Sequence, residues 1–354
     1  MTLLLLPNEL LLYIAKNLQR DKDINALIRT NARLYHLLNT YMYRRNVRTS
    51  ESSALFWAAK NNKIATFQKL LDEGANASSI ITLAGRQWTP LALAAEAGSG
   101  DVAELLLKEN GVSPDLKDEC GYTPLSWAAG NGHTLVANIL LEEGKANCNS
   151  RDHNGRTPLS LAAENGHEGT VQFLLAHCMT DPQASDSNGW TPLSWAALNG
   201  HAKVTMLLLA HPNVDPDLSS SSGRTALSWA AWNGNSEVVR LLLKHPQVNP
   251  DSRNKFGRTP LSWAAANGHH EVVKLLLATR KVDPNSKDDC YRRTPLSWAA
   301  GNGHDKVVEL LLAHSSILFE PKCLWGLTPL SYATDKKHWT TTNLLTSIFP
   351  YEYK

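Results

Sequence analysis

Thirteen histidines and five cysteines offer this chain its widest choice of chemistry. Either residue type can ligate a metal, and either can serve as a base or a nucleophile. Their spacing argues against both uses. His133, His167, His201, His269 and His304 each end the same tripeptide, Asn-Gly-His, in successive copies of one repeat. Repeated residues fall on separate layers and do not converge on one point. His211 and His245 stand in His-Pro loops. Cys120, Cys148, Cys178, Cys290 and Cys323 are odd in number and form no Cys-x-x-Cys pair. Neither a disulfide framework nor a zinc site is expected, and a reducing compartment fits best. No metalloprotease, serine-hydrolase or phosphate-loop motif occurs. The acidic turn "SDSNG" (185–189) lacks the spacing of a calcium loop. No catalytic, metal-binding or cofactor-binding residue is expected, and the chain reads as a non-enzyme.

The element that carries these residues is a repeat. "TPLSWAAGNGH" (123–133) returns as "TPLSLAAENGH" (157–167), "TPLSWAALNGH" (191–201), "TALSWAAWNGN" (225–235), "TPLSWAAANGH" (259–269) and "TPLSWAAGNGH" (294–304). Weaker copies start at Ser53, Thr89 and Thr328, so the anchor spacings are 36, 34, 34, 34, 34, 34, 35 and 34. A near-constant period of this length means stacked units. In each unit Thr suits an N-cap and Pro the first helical position. Leu-x-x-Ala-Ala gives a face small enough for close helix approach, and Asn-Gly ends the helix. A second apolar helix follows, as in "HEVVKLLLA" (270–278), and then a polar loop such as "HPQVNPDSRNKFG" (245–257).

Charge adds little. The chain carries a net charge of +2, with residues 1–50 at +5 (eight Lys/Arg, three Asp/Glu) and the remainder at −3 (27 and 30). The negative balance of the array argues against nucleic acid. The opening "LLLLPNELLLYIAKNL" (3–18) lacks the basic start of a signal peptide, and Pro7 and Glu9 interrupt its apolar run, so secretion is not expected. No run of apolar residues is long enough for a membrane span, and a cytoplasmic or nuclear protein is expected.

From residue 53 to about 350 the pattern resembles the ankyrin repeat. Ser126, Ser160, Ser194, Ser228, Ser262, Ser297 and Ser331 stand where that family has His after Thr-Pro-Leu. The resemblance implies an all-α solenoid of nine helix-turn-helix repeats with β-turn fingers, degenerate at both ends. Thr341 and Thr342 replace Val307 and Val308 of the preceding repeat, which fits a face with no neighbour. Trp57, Trp127, Trp195, Trp229, Trp263 and Trp298 occupy equivalent positions and are expected to fill the seam between adjacent first helices as a structural row.

In ankyrin arrays partners meet the finger tips and the ends of the first helices. By resemblance this concave strip contains Trp88, Tyr122, Arg156, Trp190, Arg224, Trp232, Phe256, Arg258, Tyr291 and Arg293. Aromatics and arginines dominate binding hot spots, and these residues vary between repeats. A protein target is implied.

Residues 1–45 do not fit the repeat. "LPNELLLYIAKNL" reads as a helix with Pro7 at its first position, a second helix passes through "INALIRT" (24–30) behind Asp21 or Asp23, and a third through "ARLYHLLNTYMY" (32–43). Leu6, Pro7, Glu9, Leu10, Ile14 and Leu18, followed by Asp23, Ile24, Leu27, Arg33, Leu34 and Tyr35, resemble the F-box pattern. The order of segments is similar to a layout found in many fungal proteins. The organisation expected is an F-box-like segment at 1–45, a linker at 46–52 and nine repeats at 53–350. The resemblance implies docking on the adaptor subunit of a cullin–RING ubiquitin ligase through Leu6, Pro7, Glu9, Leu10, Ile14 and Leu18, while the array holds a target. The competing reading is an ankyrin scaffold whose N-terminal helices only cap the solenoid.

Overall fold

The computed structural model describes residues 3–18, 21–49, 53–177 and 179–347. Cys178, residues 50–52 of the expected linker and residues 348–350 of the expected array lie outside that range. The chain forms two compact units, Met1–Asn147 and Cys148–Lys354. Both are stacks of short antiparallel helix pairs, and the described residues contain one small sheet, the hairpin Ile81–Leu83 with Arg86–Trp88.

The repeat motif folds as its chemistry dictates. In Pro192–Asn199, Thr191 Oγ1 accepts the Ser194 backbone N–H at 3.2 Å, and Gly200 closes the helix with φ 78°. The serine that replaces the family's histidine completes the cap: the Thr191 and Ser194 hydroxyls lie 3.1 Å apart, and the same pairing recurs at Thr123–Ser126, Thr157–Ser160 and Thr294–Ser297. Leu193, Ala196 and Ala197 are buried in the seam between first helices. Small alanines allow the close approach, and leucine supplies the buried apolar area.

The histidines tie the layers together. His133 Nε2 lies 3.0 Å from Glu96 O, His201 Nε2 2.9 Å from Glu164 O, and His269 Nε2 3.0 Å from Trp232 O. Each ring caps a last carbonyl of the preceding repeat's first helix, and Asn199 and Asn267 Nδ2 donate to the same oxygens of Glu164 and Trp232. Burial holds His269 below the ordinary imidazole range, against the opposing pull of that hydrogen bond. In the second unit the fingers are joined by one backbone hydrogen bond per step, Ser187 N–H to Asn154 O, Ser221 N–H to Asn188 O, Lys255 N–H to Ser222 O and Asp289 N–H to Phe256 O, at 2.8–3.1 Å.

In the first unit, α1 (Asn8–Asn17), α2 (Asp21–Ile28) and α3 (Ala32–Thr49) share a core of Leu11, Ala15, Ile24, Ile28, Leu34 and Leu38. Pro7 stands one residue ahead of its expected place, at the N-cap with ψ 154°, because α1 starts at Asn8. Asp21 lies inside α2, which starts there, and Asp23 follows within it. The third helix runs six residues past the expected Tyr43, through residues 46–49 of the expected linker. This extension packs on α4 (Ser53–Lys60) and α5 (Ile64–Asp72) of the first repeat. Arg44 Nε pairs with Glu73 at 2.5 Å, and Asn46 Oδ1 accepts the Ala54 N–H at 3.1 Å.

Two expectations about packing are corrected. The repeated tryptophans are not uniformly buried as a seam filling requires: Trp229 is 9% exposed, Trp127, Trp195, Trp263 and Trp298 are half-buried, and Trp57 is 54% exposed, while leucine and alanine are the fully buried apolar residues of the first helices. Thr341 does not face open solvent at the array's end: it is fully buried and its hydroxyl donates to Asp305. Thr342 is partly exposed and bonds back to His338 O at 3.0 Å.

Candidate protein-binding strip

The strip starts with a side chain five residues ahead of the Thr anchor. Asp186 Oδ1 accepts the backbone N–H of Asn188 at 2.8 Å and of Trp190 at 2.9 Å. Asp118, Asp152 and Asn254 make the same pair of bonds, to residues two and four ahead, at 2.8–2.9 Å. Each turn fixes the backbone of the residue before Thr, and so aims its side chain. One repeat carries an extra residue, and there Arg292 takes up the turn with φ 59°. Cys323 takes the same position in the last finger. Burial pushes its thiol up, but hydrogen bonds from Tyr332 and from the Trp325 and Leu327 backbone outweigh this and hold it below the ordinary range.

From Trp190 on, the residue before Thr meets two rings, one five residues on in its own repeat and one 39 on in the next, or 40 across the repeat with the extra residue. Trp190 stacks on Trp195 at 4.5 Å and Trp229 at 4.0 Å between centroids. Arg224 Cζ lies 4.3 Å from the Trp229 ring centre and 3.8 Å from that of Trp263. Arg258 Cζ lies 3.3 Å from Trp263 and 4.3 Å from Trp298. Arg293 Cζ lies 4.7 Å from Trp298 and 4.2 Å from Tyr332. The second unit therefore carries one unbroken column: Trp195, Trp190, Trp229, Arg224, Trp263, Arg258, Trp298, Arg293, Tyr332. In the first unit Trp127 stacks on both Trp88 and Tyr122 at 4.9 Å, with Arg86 Cζ 4.8 Å from its centre.

The repeated tryptophans and the variable residues, read separately in the sequence, are thus one structure. The spacing of 5 and 39 was there to be read, because a residue beside a turn and a residue one helical turn into the helix fall on the same side. Stacked arginines suit this place, since a guanidinium keeps its charge while its flat face covers an aromatic ring. Burial lowers Arg224 from the usual guanidinium range. Burial together with the charges of Arg224 and Arg293 lowers Arg258 to about 10, against the opposing pull of Asp288.

Of the expected strip residues, Trp88, Tyr122, Trp190, Arg224, Arg258 and Arg293 lie half-buried in these stacks. Arg156 has Leu161 where other repeats have tryptophan five residues on, and it pairs with Asp152 and Glu164, both at 2.9 Å. Trp232, Phe256 and Tyr291 are exposed. Tyr291 stacks on Trp325 of the next finger at 5.3 Å, and Trp232 meets Trp229 edge-on at 6.3 Å.

The six F-box-like residues cluster at the start of the first unit. Leu6, Ile14 and Leu18 are half-buried, while Pro7, Glu9 and Leu10 are exposed. Arg33 of α3 fastens the start of α1, donating to Leu6 O at 2.9 Å and Asn8 Oδ1 at 2.7 Å. Among the described residues no group of His, Cys, Asp and Glu is placed to hold a metal, and no helix is long and apolar enough to cross a membrane.

A family model described as ankyrin repeats (3 copies) matches residues 11–118, 107–186, 174–254, 245–318 and 280–349. No F-box match accompanies it. A search among curated proteins returns no match. Ankyrin repeats are protein–protein interaction modules, generally without catalysis. With matches running from residue 11 to residue 349 and the stacked helix pairs beneath them, the chain belongs to the ankyrin-repeat family.

Proposed function

We propose that this protein is a substrate-recognition subunit of a cullin–RING ubiquitin ligase. Residues 1–45 act as an F-box-like segment that docks on the adaptor, and the array from 53 to 350 holds a target protein along its strip. The role needs no chemistry in the chain, because holding a target near a conjugating enzyme raises its effective concentration. It calls for a cytoplasmic or nuclear protein.

The observation that carries the reading is the apolar face of α1. Only Leu11 and Ala15 of that helix are buried, while Leu10 is 48% exposed, and Leu3, Leu5 and Tyr13 also face solvent. A helix serving only as a cap would turn its leucines inward. An exposed patch beside Pro7 and Glu9 suits a second protein. The test is co-purification with the adaptor subunit of the same cell. Leu10→Asp, at an exposed site, is expected to abolish capture while leaving the thermal midpoint within a degree or two. Wild-type protein that captures no adaptor overturns the reading.

The scaffold alternative also has an observation in its favour. The first family match reaches back to residue 11, and α3 packs directly on the first repeat. In that case α1 to α3 serve as an N-terminal cap, and Leu10→Asp changes no partner.

A further inference from the structure

The first unit holds a cavity of about 500 Å³ between α1 and α3. α1 supplies Leu12 and Lys16 to its lining. α3 supplies Leu37, Tyr41, Arg44 and Arg48, three or four residues apart and so on one stripe of the helix, with Arg45 beside them. Successive residues turn a helix by about 100°. Leu12 and Lys16 each follow a buried residue, Leu11 and Ala15, whereas Leu10 and Ile14 each precede one. The cavity therefore lies on the opposite flank of α1 from Leu10 and Ile14. It belongs neither to the strip nor to the proposed adaptor face.

Its lining joins open cations to an apolar wall. Lys16, Arg44 and Arg48 are exposed, so a ligand can reach them, while Leu12, Leu37 and Tyr41 are half-buried. Among the described residues no acidic side chain lines it. Arg44 Nε pairs with Glu73 at 2.5 Å, and Arg45 Nη1 donates to Leu18 O at 2.6 Å. Lys16 and Arg48 pair with no acid among the described residues. Each stands in the last turn of its helix, where the dipole favours a cation. A helix end carries only roughly half a negative charge, so the two ends offset about half of what Lys16 and Arg48 bring. Like charges gathered around one cavity repel each other, and a guest anion relieves that repulsion.

We propose that this cavity binds a small organic phosphate monoester with an apolar or aromatic body. At neutral pH a monoester phosphate carries roughly −1.5 to −2 charge and three acceptor oxygens, enough to meet Lys16 and Arg48 together. A carboxylate brings one charge and two oxygens. The planar forks of Arg44 and Arg48 suit bidentate contact with phosphate oxygens. Leu12, Leu37 and Tyr41 cover the organic body. The lining is confined to two helices, and its volume falls in the range of small-molecule sites, about 300–1,000 Å³, so a small ligand is indicated in preference to a chain. The site stands whether α1 to α3 dock an adaptor or cap the array.

The test is isothermal titration calorimetry of the full chain with phenyl phosphate, and with phenol, benzoate and inorganic phosphate as comparisons. Phenyl phosphate is expected to bind at least about tenfold more tightly than benzoate or inorganic phosphate, and phenol not to bind. Lys16→Gln and Arg48→Gln, both at exposed sites, are each expected to weaken phenyl phosphate at least about threefold while leaving the thermal midpoint within about a degree or two. Lys244→Gln, at an exposed lysine of the array, removes the same charge and is expected to leave the affinity unchanged. Affinity unchanged in both cavity variants, equal weakening by Lys244→Gln, or benzoate or phenol binding as tightly as phenyl phosphate overturns the proposal. Two further competitors decide the ligand's size. A phosphotyrosine peptide that binds at least about tenfold more tightly than phenyl phosphate, or phosphatidic acid vesicles that displace it, would assign the cavity to a macromolecule and overturn the small-ligand assignment.

Discussion

Trp229 separates a stacked strip from a row of surface tryptophans most cleanly. It is 9% exposed, lies between Trp190 and Arg224, and meets Trp232 edge-on. Burying about 200 Å² of indole at ~25 cal/mol/Å² is worth roughly 5 kcal/mol. Partial burial in the unfolded chain lowers this to about 4 kcal/mol. The stacking contacts add roughly 1 kcal/mol. Against this, Trp229 Nε1 is buried without an acceptor among the described residues, and deleting it returns about 1–2 kcal/mol. Trp229→Ala should therefore cost about 3 kcal/mol, read from urea unfolding followed by far-ultraviolet circular dichroism. Trp229→Phe keeps the stack and drops the N–H, so it should stay within about 1 kcal/mol of wild type. Trp57 is mostly exposed, and Trp57→Ala should cost under about 1 kcal/mol. If Trp229→Ala and Trp57→Ala cost the same, the column is not a stabilising unit and the reasoning fails.

Two further outcomes follow from the geometry. Gly234 has φ 78°, and a Cβ there would lie 2.5 Å from His269 Nδ1, so Gly234→Ala should cost about 2 kcal/mol by strain and by displacing the ring from Trp232 O. Gly326 has a similar φ of 76° with nothing within 4 Å, so Gly326→Ala should cost only the backbone part, about 1 kcal/mol; equal losses in the two variants would show that the histidine contact contributes nothing. Burial pushes Asp217 and Asp251 above the ordinary carboxylate range, against the opposing backbone hydrogen bonds from Asn249 and Asp283. The folded protein thus holds these protons to higher pH than the unfolded chain does, and their penalty is greatest at neutral pH. Replacing both by Asn should raise the thermal midpoint at neutral pH, and that gain should shrink as pH falls through their titration; a gain independent of pH would contradict the sign.

The repeat itself was legible because its physics is local. Thr at the cap, Pro behind it and Gly at the end act within one helix, and the period needs only counting. The strip residues were legible as positions, since the resemblance names the residue before Thr. What could not be read was their mutual arrangement. Trp263 looks like a core residue in sequence because six of the nine copies have tryptophan there, yet its neighbours Arg224 and Arg258 come from two repeats and are brought together only by stacking. At the N-terminus, Pro7 and the length of α3 were misjudged by one and six residues, because the end of a helix depends on what it packs against, here α4 and α5.

The sharing of each stacked residue between neighbouring repeats has a consequence for how this array can grow or shrink. Excising residues 225–258 would bring Arg224 directly before Thr259, in the place now held by Arg258. It would then stack on Trp263, a ring it already touches at 3.8 Å, and meet Trp298 on its other side. The column heals, because every cut at the Thr anchor joins a left half to an equivalent right half. A deletion one residue off keeps the column only where the turn can absorb the difference, as Arg292 does with φ 59° ahead of Arg293. The surface is therefore modular in whole repeats, free to change its length while keeping its continuity, and each such step alters which arginines and aromatics a partner meets.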